Sequence, residues 1–134
     1  MWRIEFCSAE FLPVLPEQCQ ANPGAYGFEL AWWLAQALAR NGFVTSYPIG
    51  EDWGWLIEYI SPSGVEFTIG CGSMGEPGAG YLQTPLEWSI FIRPHPSLRQ
   101  QLKGISHAAE VSRLGRAIVD MLDSKGIVAT QAEM

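Results

Sequence analysis

Cys71 is the side chain best suited by type to act as a nucleophile, and His95 and His107 are the only imidazoles that can serve it as a base. Such a cysteine enzyme, or equally a small-ligand-binding protein, would place its pocket between the long connection over residues 8–27, the glycine-rich loop over residues 72–80 and Cys71. Glu51 and Asp52 would stand by as paired carboxylates. The competing expectation is that Cys71, two residues after Ile69 at the end of a strand, is a small buried hydrophobe. Glu51 and Asp52 likewise suit a solvated turn, where Asp bonds to nearby backbone.

Three further carboxylates, Glu58, Glu66 and Glu87, fall on the same phase of neighbouring strand-like runs. Gathered on one sheet face they would either hold a hard cation or form a solvated acidic surface, and the second expectation is adopted. Two histidines are too few for a three-histidine metal site, and Cys7, Cys19 and Cys71 have no C-x-x-C spacing, so no metal and no cofactor is expected. "GCGSMG", residues 70–75, satisfies G-x-G-x-x-G, but Pro77, Gly78 and Gly80 follow where a helix must begin, which excludes a dinucleotide site.

The chain has 134 residues, 48% of them hydrophobic, which suits one domain over residues 1–134 with a core of its own. Charged residues make up only 16%, and six Trp, six Phe and four Tyr point to aromatic packing as the main source of stability. The net charge is −6, with ten acids against three arginines before residue 95. That field repels phosphate backbones and anionic membranes and attracts basic proteins. No apolar run nears the roughly 20 residues of a membrane span, and "MWRIEFCSAEFLPV" lacks the order of a secretion signal. An odd cysteine count suits reduced thiols, so a cytoplasmic protein is expected.

Positioning these residues falls to a small set of elements. "WRIEFC" alternates as a strand, and three prolines make residues 8–27 an irregular connection. "AYGFELAWWLAQALARNG" is a helix stopped at Asn41-Gly42, with Trp33 in the middle of its polar stripe, either beneath the connection or offered to a partner. "FVTSYPI" is expected as a strand, then a turn at Gly50-Glu51-Asp52. "WGWLIEYI" and "VEFTIGC" pair through "SPSG" as a hairpin, and "LEWSIFIRP" is a further strand. A short helix near residues 97–103 and a longer one over residues 106–125 follow, with residues 127–134 as a frayed tail. Gly115, on the apolar face of the long helix, implies a bulky neighbour, such as a tryptophan, that needs the space.

Strand alternation puts Trp53, Trp55, Ile57 and Tyr59 on a covered face. Glu58, Glu66 and Glu87 lie on the opposite face with Leu56 and Phe91 among them, and Glu5 joins them. The expected fold is a two-layer α+β domain: a mainly antiparallel sheet of about five strands with two main helices on one face.

The succession "YGFELAWWLAQAL", "EDWGW" and a strand ending "IGCG" is similar to that of small bacterial proteins whose families have no assigned function. The likeness covers roughly residues 22–92 and implies no catalytic residues. In size, acidity and aromatic content the chain also resembles immunity proteins that neutralise toxins. The function expected is therefore non-enzymatic binding of a basic protein partner, or of a second copy, through Glu58, Glu66, Glu87, Leu56 and Phe91, with Trp33 as a further anchor.

Overall fold

The computed structural model describes residues 2–104 and 107–133. Its frame is an antiparallel sheet of seven strands among the described residues, two more than expected. They are β1 (Trp2–Ser8), β2 (Ala25–Tyr26), β3 (Ile49–Glu51), β4 (Gly54–Ile60), β5 (Glu66–Met74), β6 (Leu86–His95) and β7 (Thr130–Glu133). They lie side by side as β3-β4-β5-β6-β1-β7, with β2 paired to the end of β5. Helices α1 (Phe28–Arg40) and α3 (Ala108–Ser124) cover one face, α1 over β4 and β5 and α3 over β1 and β6. The short α2 (Leu98–Leu102) begins with a capping box in which Ser97 and Gln100 satisfy each other's backbone N–H groups.

Burial of alternate residues explains the two layers. Ile4 and Phe6 from β1, Ile57 and Tyr59 from β4, Phe67, Ile69 and Cys71 from β5, and Trp88, Ile90 and Ile92 from β6 form the core with Leu30, Leu34 and Leu38 of α1 and Leu114, Ile118 and Leu122 of α3. Gly115 meets the tryptophan that its position implies. A Cβ there would come within 2.7 Å of the Trp2 Nε1, so the glycine lets α3 approach the start of β1.

Four expectations need correction. Residues 127–133 of the expected frayed tail are ordered into the fold, residue 134 lying outside the described residues: Ile127 is buried, and β7 pairs with β1 from Trp2↔Glu133 to Glu5↔Thr130. The backbone of β1 would otherwise present an open edge, and pairing satisfies it. "FVTSYPI" makes a single bridge, Thr45↔Tyr59, because Pro48 interrupts the ladder, and the strand forms one step later as β3. The glycine-rich stretch starts as strand, since β5 runs on to Met74 and there receives β2. The expected start of the long helix at Ser106 lies outside the described residues.

The fourth correction concerns Trp53. Asp52 and Trp53 form the turn between β3 and β4, closed by the pair Glu51↔Gly54. Strand alternation therefore stops at Gly54, whose φ of 153° and approach to the Cys71 carbonyl, 2.6 Å from an added Cβ, exclude a side chain. Trp55, Ile57 and Tyr59 stay on the covered side as expected. Trp53 swings to the opposite side, where its ring centroid lies 5.0 Å from that of Phe91.

Candidate functional site

The uncovered sheet face carries a trough of about 670 Å³. Its floor follows from the register. Leu56, Gly70, Phe91 and Arg3 stand side by side on β4, β5, β6 and β1. Gly70 has no side chain, so the Phe91 ring lies down into the space that a Cβ would occupy. Trp53 packs against Phe91 from the β3–β4 turn, and the Arg93 guanidinium stacks 5.3 Å from the Phe91 centroid. Leu56, Trp53 and Phe91 are each half-buried, which leaves a wet aromatic platform.

Carboxylates flank that platform and the depression beside it. Glu5, Glu51, Glu58, Glu66 and Glu87 are all exposed on this side. Among the described residues the ion pair seen is Lys125 Nζ to Glu10 Oε2 at 3.9 Å, off this face. His95 and Thr68 close the trough through a 2.9 Å contact between Nε2 and Oγ1, and a second depression lined by Glu58, Glu66, Thr68 and His95 continues from there. The face is less uniformly acidic than expected. Arg3 and Arg93 rise at its centre, so the negative charge forms a rim around a cationic and aromatic middle. Alternation along "WRIEF" and "FIRPH" puts both arginines on this side of the sheet, in phase with Glu5 and Glu87, and the strand register brings them to its middle. Trp53 has no such signal, because turn residues escape the period.

The residues expected to build a cysteine pocket are not brought together. Cys71 is fully buried on the helix side of the sheet, and that burial pushes its thiol far above the ordinary range. His95 projects from the opposite face, and Glu51, the last residue of β3, and Asp52, in the β3–β4 turn, are both exposed. A thiol titration at neutral pH is accordingly expected to count two reactive cysteines, the exposed Cys7 and Cys19, and a third only after denaturation. A fast third thiol in the native protein would contradict this placement.

The long connection is fastened down rather than free to act as a lid. Glu17 Oε1 accepts the Gly24 N–H at 2.8 Å and the Gly78 N–H at 3.4 Å, while its Oε2 accepts the Tyr26 hydroxyl at 3.0 Å. Burial first, and the Glu17 carboxylate as well, raise the Tyr26 hydroxyl above its ordinary range. Tyr81 donates to the Leu15 carbonyl at 2.5 Å, and Glu29 Oε2 accepts the N–H groups of Val14 and Leu15. Trp33 lies half-buried beneath this strap, 5.1 Å from Phe11, with Lys125 Nζ 5.6 Å from its ring. The more exposed tryptophan of the helix is Trp32, stacked on Tyr47 at 5.7 Å.

Among the described residues no group of three or more His, Cys, Asp or Glu side chains converges on a metal position, and no helix is long and apolar enough to cross a membrane. No protein-family model matches the chain, and neither a curated protein nor a solved structure does.

Proposed function

We propose that the chain is a non-enzymatic binding protein that offers its open sheet face to a basic protein partner, in the manner of the toxin-neutralising immunity proteins it resembles in size, acidity and aromatic content. One observation carries this reading: the exposed Glu5, Glu51 and Glu87 line a trough around a half-buried platform of Trp53, Phe91 and Leu56, and the exposed Glu58 and Glu66 line the depression beside it. Aromatic anchors inside a polar rim are the usual anatomy of a protein interface, and a ring of one sign steers an oppositely charged partner. The three free thiols of Cys7, Cys19 and Cys71 suit a reducing compartment, which supports a cytoplasmic setting.

Reversing charge at two rim positions tests the reading. Glu58→Lys combined with Glu87→Lys alters exposed residues only, so the fold should hold to within about 0.5 kcal/mol at each. Affinity for a partner captured from the native host is expected to fall at least about tenfold, equivalent to about 1.4 kcal/mol. The wild-type complex should also weaken as salt is raised, more steeply than the variant complex. Unchanged affinity in the double variant would remove this face as the contact surface.

A further inference from the structure

The rim suits cations, but the centre of the trough does not. Arg3 stands directly across from Phe91, with its Nη1 only 3.5 Å from Ser89 Oγ. Its Nε is shut off from water and has no acceptor. A guanidinium N–H left without a partner is costly, and Arg3 has no carboxylate partner among the described residues, although its own face carries five. The Arg93 guanidinium shares the trough, and the Trp53–Phe91 pair borders both.

From this we infer that Arg3 is the receptor for a carboxylate held next to an apolar or aromatic group. Resting on the docking role proposed above, the inference adds that the basic segment seated on this face carries one acidic side chain at its centre. The chemistry follows from the guanidinium fork: two parallel N–H···O bonds to a carboxylate replace a long contact to a hydroxyl, and lifting the side chain toward the ligand frees the enclosed Nε. The adjacent platform supplies apolar contact for the group that bears the carboxylate, while Glu5 and Glu87 remain for its basic neighbours.

The subsite can be tested without the partner. The full-length protein, labelled with ¹⁵N, is titrated with 3-phenylpropionate and, separately, with 3-phenylpropionamide, which keeps the ring and removes the charge. The acid is expected to shift the Arg3 Nε–H and Trp53 indole N–H resonances saturably, and the amide at least about tenfold more weakly. Arg3→Gln should abolish saturation by the acid, whereas Arg3→Lys, retaining charge without the fork, should fall between. Equal response to acid and amide, or full binding by a folded Arg3→Gln variant, overturns the inference. The Glu58→Lys/Glu87→Lys protein should bind the acid at least as well as wild type, so failure at Arg3 and failure of the acidic rim are read separately.

Discussion

Replacing Trp88 with alanine is expected to remove about 3–5 kcal/mol of stability, the range for truncating a large aromatic in a packed core. Only 2% of the residue is exposed, and it lies on β6 opposite Phe6 of β1, with the Phe11 ring perpendicular to it at 6.3 Å between centroids. Its indole Nε1 donates to the Ser8 carbonyl at 3.2 Å, so truncation strands a buried acceptor as well as opening a cavity. Domains of this kind are stable by about 5–15 kcal/mol, so the variant should unfold at a much lower denaturant concentration with its m-value retained. Trp88→Phe separates the contributions: it refills most of the space but cannot reach Ser8, and a cost of about 1–2 kcal/mol is expected. A loss below about 1.5 kcal/mol for Trp88→Ala would mean that the core does not depend on this ring.

Glu17→Ala is the second large effect. One carboxylate accepts from Gly24, Gly78 and the Tyr26 hydroxyl, and so binds the connection, the β2 strand and the glycine-rich loop into one unit. Hydrogen bonds to a charged group contribute about 1.5–3 kcal/mol each, but the three share one acceptor group and do not add, so a total loss of about 2–4 kcal/mol is expected. The distinctive signature is local. Backbone amide exchange at Gly24 and Gly78 should accelerate well before exchange in β5 and β6, because the strap opens without the sheet. Glu17→Gln keeps an acceptor oxygen and should sit between wild type and alanine. If exchange accelerates equally in strap and sheet, the strap is no separate unit.

These two residues also show how far the sequence could be read. Trp88 was legible as core because strand alternation is a local property: every second side chain of "LEWSIFIRP" must share a face, whatever the neighbouring strands do. The same rule placed Glu58, Glu66, Glu87, Leu56 and Phe91 on the open side, and the space left by Gly115 announced a bulky neighbour, which is Trp2. Glu17 had no signal. Its role depends on Gly24 and Gly78 arriving from 7 and 61 residues away, an encounter that no short-range pattern encodes.

Periodicity and composition alone thus determined the α+β class, the central strands, the two long helices and the acidic character of the exposed face. The tertiary structure alone decided that the last residues close the sheet as β7, since a short polar strand takes its stability from the open edge of β1 rather than from its own sequence. It also decided that Trp53 joins Phe91 outside the core, because a two-residue turn cancels the alternation on which the expected inward placement relied. Arg3 acquired its position at the centre of the trough in the same way, when the pairing of β1 with β6 set it beside Phe91.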